Sequence, residues 1–172
     1  MNLNKFLLKK IFFILISFQL FLNISKATAA EEIKIIYSIF SRTINVNSLK
    51  NFAEEGNSTR NLKRILKATG SSDKEIRSVL NKDFEIPITI ASKLVYSEIG
   101  KVFLTRLSSI IHPPKADDER TGLLALRASL IQGIKIGNGK INLINFFEGY
   151  PTKTIILDVN ALSKVMNKVE SI

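Results

Sequence analysis

The chain has 172 residues, 25 Lys and Arg against 15 Asp and Glu, a single His, and neither Cys nor Trp. That length holds one domain of ordinary size and leaves no room for an enzyme with a separate cofactor domain. Zero Cys excludes disulfides, thiolate zinc sites, iron–sulfur clusters and a cysteine nucleophile, and one His excludes any two-histidine metal motif.

Residues 1–29 read as a secretory signal. Lys5, Lys9 and Lys10 form a positive start, Ile11 to Leu22 an apolar run broken by Ser17 and Gln19, and Ala27-Thr28-Ala29 a small-x-small cleavage site before Ala30. The apolar run is shorter than the roughly 20 residues that span a bilayer, which favours cleavage over retention as an anchor. Removing 1–29 takes four of the 25 basic residues and none of the 15 acids, so the formal net charge falls from +10 to +6. Export to a periplasm or thylakoid lumen makes nucleic acid an unsuitable partner.

Residues 30–172 read as one domain. Ile33, Ile35, Tyr37 and Ile39 alternate with Lys34, Ile36 and Ser38, and a turn near Ser41-Arg42 gives a hairpin with strands near 33–39 and 43–46. Leu49, Phe52 and Ala53 have helical spacing, and Gly56 closes that helix. Leu62, Ile65 and Leu66 repeat the spacing, with Ser58 as N-cap and Gly70 as stop. Ser72-x-x-Glu75 is a capping box ahead of Ile76, Val79 and Leu80. Pro87 suits the first helical position of a helix carrying Ile90, Ala91 and Leu94. The next helix starts near Glu98, with Ile99, Phe103, Leu107 and Ile110 on one apolar face, and ends at His112-Pro113-Pro114. The longest helix spans about 119–136, with Leu123, Leu126, Leu130, Ile131 and Ile134 as its core stripe. Gly137-Asn138-Gly139 breaks it. A short helix or turn covers 141–147, a buried strand covers 154–159, and a C-terminal helix carries Leu162, Val165, Met166 and Val169. These elements predict a mainly α fold: a compact bundle of short helices with a small β-sheet, made of the N-terminal hairpin and a strand near 153–158.

Two groups of residues are candidate binding surfaces. Arg60, Lys63, Arg64 and Lys67 share one helix face, followed by Lys74, Arg77 and Lys82, and suit an anionic membrane surface or an acidic partner. A solvated helix face is the competing reading. Phe146, Phe147 and Tyr150 are apolar side chains available for a partner contact.

The remaining polar residues have structural explanations. His112 near Asp117 and Asp118 resembles a base with an orienting carboxylate, but no G-x-S-x-G elbow supplies a nucleophile, and a helix-terminal His fits the same residues. Asp117, Asp118 and Glu119 lack an EF-hand pattern and suit the positive start of the long helix. Gly137-Asn138-Gly139-Lys140 lacks phosphate-loop spacing and reads as a turn. Arg127, on the apolar side of its helix, suits a buried pairing with a carboxylate. No catalytic, cofactor or metal residue is assigned.

Several segments resemble a family. Ser41-Arg42-Thr43-Ile44-Asn45-Val46-Asn47-Ser48-Leu49-Lys50-Asn51-Phe52-Ala53-Glu54-Glu55-Gly56 is followed by Ile76-Arg77-Ser78-Val79-Leu80, Gly100-Lys101-Val102-Phe103-Leu104, Ala125-Leu126-Arg127-Ala128-Ser129-Leu130-Ile131 and the stretch from Tyr150-Pro151 to Val159. In this order, over about residues 31–165, they resemble the cyanobacterial domain of unknown function 1400, the helical region that precedes the catalytic domain in proteins described as α/β-hydrolases. The resemblance implies an exported helical module that accompanies a hydrolase, and it carries no catalytic residue over. The leading expectation is a non-catalytic interaction module for a separate α/β-hydrolase. Membrane-surface binding through the basic helix face is the alternative, and a small hydrolase is the least favoured.

Overall fold

A computed structural model describes residues 29–68, 70–115 and 118–170, leaving out the side chains of Glu119 and of 165–170. The proposed signal segment therefore lies outside the described residues, apart from Ala29. So does Asp117.

The alternating N-terminal segment forms β1 (Glu32–Tyr37) and β2 (Phe40–Asn45), paired antiparallel with Ile33 opposite Ile44 and Tyr37 opposite Phe40. The turn is Ser38–Ile39, with Ser38 at φ 53°, three residues ahead of the expected Ser41-Arg42. The far end of β2 accounts for the difference. Asn45 caps α1 (Val46–Glu55) by accepting from the Ser48 N–H at 3.1 Å, so the strand ends there and Val46 starts the helix. Gly56 closes α1 at φ 81°, a left-handed conformation that favours glycine.

Helix α2 (Arg60–Lys67) is capped by Thr59 rather than Ser58. The capping box of α3 (Asp73–Leu80) forms as expected. Glu75 N–H donates to Ser72 Oγ, and Ser72 N–H returns to the Glu75 carboxylate at 2.8 Å, which holds Glu75 below the usual carboxylate pKa. Two-residue β3 (Phe84–Glu85) precedes α4 (Ile88–Tyr96), for which Pro87 is the N-cap and not the first helical residue. Helix α5 (Glu98–Ser108) stops earlier than expected. His112 lies in β4 (Ile111–His112), a short strand absent from the sequence reading. Helix α6 (Glu119–Ile136) has the expected span. Asp118 Oδ1 accepts from Thr121 N–H at 2.7 Å, and this bond lowers its pKa. The Gly137-Asn138-Gly139 turn leads to β5 (Lys140–Ile141), which pairs with β3. The chain continues through α7 (Leu143–Glu148), β6 (Thr154–Asp158) and α8 (Val159–Glu170).

The fold is mainly α, with eight helices among the described residues and a four-stranded mixed sheet of order β2-β1-β6-β4. β6 runs parallel to β1, with Ile33 beside Ile155, and antiparallel to β4, with Ile111 opposite Leu157. Ile33, Phe52, Leu62, Leu126 and Ile155 are buried in one core that joins the sheet to the helices. Helices α6 and α7 approach closely. A Cβ on Gly149 would lie 2.6 Å from Gly133 N and 2.8 Å from Ser129 O, and the buried Ser129 hydroxyl donates to Phe146 O. Lys50 on α1 reaches Glu148 on α7 at 2.8 Å, and that hydrogen bond raises the lysine's pKa. Among the described residues, no helix is long and apolar enough to cross a membrane.

Tyr150 is fully buried, edge-on to Phe146 at 6.2 Å, and its hydroxyl has no hydrogen-bond partner. Burial raises its pKa above the ordinary 10.0. An unpaired buried polar group costs about 1–3 kcal/mol. Tyr150→Phe is therefore expected to leave stability unchanged or raise it by up to about that amount in chemical denaturation. Above about pH 10 the unfolded chain loses a phenolic proton that the folded chain keeps, so stability falls as pH rises. Lys50 contributes to the fall in the same direction. The substitution is expected to flatten the alkaline slope by the tyrosine's share, and an unchanged slope would count against the buried environment.

Candidate functional site

The corner between α4 and α5 turns on Ser97. Its N–H donates to Leu94 O at 3.1 Å, its hydroxyl donates to the same carbonyl at 2.7 Å, and the hydroxyl accepts from Gly100 N–H at 3.0 Å. One residue thus ends α4 and caps α5. A Cβ on Gly100 would fall 1.9 Å from Leu94 O, so only glycine allows the two helices to meet this closely.

This corner decides which face of α5 is buried. The spacing placed Ile99, Phe103, Leu107 and Ile110 on one apolar face, and the structure divides them. In the structure Gly100, Leu104 and Ser108 face inward, Leu107 is half-buried, and Ile110 is buried beyond the helix end. Ile99 is 81% exposed and Phe103 64% exposed. Small residues explain the rotation. Gly100 admits α4, and Ser108 lies against Gly122 of α6, where a Cβ on the glycine would come within 2.7 Å. Close helix approach uses small side chains, and these carry little signal in a hydrophobic pattern.

The result is an outward apolar surface. Ile90 and Leu94 on α4, Ile99, Val102 and Phe103 on α5, and Leu124 on α6 are all exposed. Lys93, Lys101, Arg106 and Arg120 are exposed on the same three helices, and Arg127 is half-buried. Between α5 and α6 lies a groove of about 420 Å³ lined by Lys101, Thr105, Arg120, Leu123, Leu124 and Arg127. Arg127 is held in place: Nε donates to Val95 O at 2.8 Å, and its guanidinium lies 4.7 Å from the Tyr96 ring centre. The expected carboxylate partner is replaced by a carbonyl at the end of α4, where a cation also meets the negative end of the helix dipole.

The residues singled out from sequence are distributed differently. Arg60, Lys63, Arg64 and Lys67 are exposed on α2 opposite the buried Leu62 and Leu66, as the spacing predicted. No exposed large apolar side chain accompanies them on that helix. Phe146 and Tyr150 are in the core and Phe147 is half-buried against it, so these three residues do not form an exposed patch. His112 Nδ1 is 2.9 Å from Pro113 O, and His112 pairs with Ile156 in the sheet. A second cleft, near Gly56, is built around a structural clamp. In it Arg77 Nε and Nη2 donate to Ala53 O and Glu54 O at 3.1 and 2.9 Å, and Asn81 also donates to Ala53 O. Among the described residues no group of three or more His, Asp or Glu is placed to hold a metal ion.

The family model described as "Alpha/beta hydrolase of unknown function (DUF1400)" matches residues 29–158. The chain belongs to that family. No curated protein and no solved structure matches it. The matched residues hold the four-stranded sheet and helices α1 to α7, and α8 follows them.

The burial of α5 has a direct test. Phe103→Ser and Ile99→Ser are each expected to change unfolding free energy by no more than about 0.5 kcal/mol, as exposed positions do. Leu104→Ser, which places a hydroxyl at a buried site, is expected to cost more than about 2 kcal/mol. Denaturant titration of the three variants reads the difference, and a reversed order would place the core on the opposite face.

Proposed function

We propose that this chain is an exported, non-catalytic binding module that works through the apolar face of α4 and α5. The observation that carries the reading is the exposure of Ile90, Leu94, Ile99, Val102 and Phe103 on two helices joined by a rigid corner. A Leu- or Phe-sized side chain left in water forgoes roughly 1.5–3 kcal/mol of burial. Clustered exposure of this kind marks interaction surfaces, whereas scattered single apolar residues do not. Export rests on the sequence of residues 1–29.

The non-catalytic part of the reading draws on where the reactive residues are engaged. Asp118 caps α6, the His112 ring lies against Pro113 O, and Arg127 serves the end of α4. These three groups already have local structural roles. The family description names α/β-hydrolases. A catalytic domain of that kind is therefore the protein to test as an alternative occupant of the face.

The chain has no cysteine, so one introduced thiol reports on one place. Val102→Cys puts a thiol on the proposed face, and Lys63→Cys puts one on α2. Maleimide modification of the full chain is measured with and without soluble and membrane fractions of the native cell. The Val102→Cys rate is expected to fall at least about tenfold with one of the fractions, with Lys63→Cys changed less than about threefold. Equal rates with and without both fractions would overturn the reading.

A further inference from the structure

We infer that the partner of the α4–α5 face is an anionic lipid membrane, on which the face lies at the interface. The inference rests on the binding-module reading and names its partner. Charge is the observation that selects among occupants. Helices α4 and α5 carry Lys93, Lys101 and Arg106 against Glu98 alone. Arg120 and Arg127 extend the positive rim along the α5–α6 groove, whose lining holds no acid; Asp118, which interacts with Arg120 through its charge, is engaged as the α6 cap.

Such a face combines the two terms that hold a helix at a membrane surface. Apolar side chains enter the boundary between headgroups and acyl chains, and flanking cations meet anionic phosphates. Leu94, Ile99, Val102 and Phe103 supply the first term, and Lys93, Lys101 and Arg106 supply the second. The α5–α6 groove adds a place for a single headgroup: Lys101 and Arg120 line it, neither forms a salt bridge among the described residues, the charge of Asp118 reaches Arg120 only at longer range, and Leu123 and Leu124 form an apolar wall. A second copy of the chain is disfavoured, because a two-fold contact would set one positive rim against another. The α2 face has the charge without the apolar component, so it attracts a surface without anchoring to it.

The test uses the full chain bearing Val102→Cys, labelled with an environment-sensitive fluorophore, with a Lys63→Cys label as control. Any attachment through residues 1–28 is common to both, so the readout is which face enters the bilayer. Vesicles of phosphatidylcholine with about a third phosphatidylglycerol are compared with phosphatidylcholine alone. The Val102→Cys label is expected to shift to the blue and be quenched by bilayer-embedded quenchers on the anionic vesicles only, while the control label stays in water. Adding Lys101→Glu and Arg106→Glu is expected to weaken this partitioning at least about tenfold. Inorganic phosphate at millimolar concentration is expected to leave the signal unchanged, and competition by it would assign the groove to a free anion and overturn the lipid proposal. A label that stays in water on both vesicle types, yet is protected by the soluble protein fraction, overturns the membrane and keeps the binding module. A label that is unprotected under all conditions overturns both.

Discussion

The Leu94 carbonyl governs the part of this molecule that faces outward. It receives the Ser97 N–H and the Ser97 hydroxyl, and it lies so close to Gly100 that no side chain fits there. These contacts set the angle between α4 and α5, and that angle sets the rotation of α5 about its own axis. Once Gly100 faces α4, the 3.6-residue period carries Leu104 and Ser108 inward and Ile99 and Phe103 outward. The apolar surface is therefore a consequence of helix packing. Returning Phe103 to the core would require breaking the Ser97 cap and separating α5 from α6.

Helix α6 provides the support against which that corner is fixed. Toward its start it presents Gly122 to Ser108, and Arg127 reaches the end of α4. Further along the stripe that holds Gly122, Ser129 and Gly133 meet α7, through a buried hydrogen bond and a contact that no larger residue permits. Leu126 is fully buried between them. A helix held by small residues at both ends of one stripe has little freedom to shift, because close-packed interiors transmit displacement instead of absorbing it. The α4–α5 face is thus carried on a rigid base, and a surface already in its binding shape loses less entropy on contact than one that must order first.

Much of the fold could be read in the sequence where a polar side chain announces a boundary. Ser72 and Glu75 marked the start of α3, and the acidic run ending at Glu119 marked the start of α6. Alternation found β1, an apolar run found β6, and the two pair in one sheet as expected. The failures have distinct causes. Hydrophobic periodicity assumes that the most apolar stripe faces inward, so it misread α5, where glycine and serine make the inner face. Phe146 and Tyr150 were assigned to the surface for a different reason: the core appeared already supplied by other helices, and it in fact closes around α7. The two-residue strands β3, β4 and β5 are too short to leave a pattern. The basic face of α2 was legible because charge spacing alone defines it. The apolar face was not, because it depends on a contact between Gly100 and Leu94 that a pattern does not reveal.

The two cationic surfaces differ in what salt should do to them. On α2 the cations stand over a helix whose apolar residues are all turned inward, so attraction there is electrostatic and screened within about 8–10 Å at ordinary ionic strength. On α4 and α5 the cations surround side chains that lose contact with water on binding, and that contribution is insensitive to screening. On the proposed reading the roles are separable: α2 would raise the rate of encounter with a negative surface, and the apolar side chains of α4 and α5 would hold the face there. A positive rim also restricts self-association of the apolar residues it encloses, since joining two such faces brings like charges together. The same lysines and arginines that favour an anionic partner thus help to keep the face available for it.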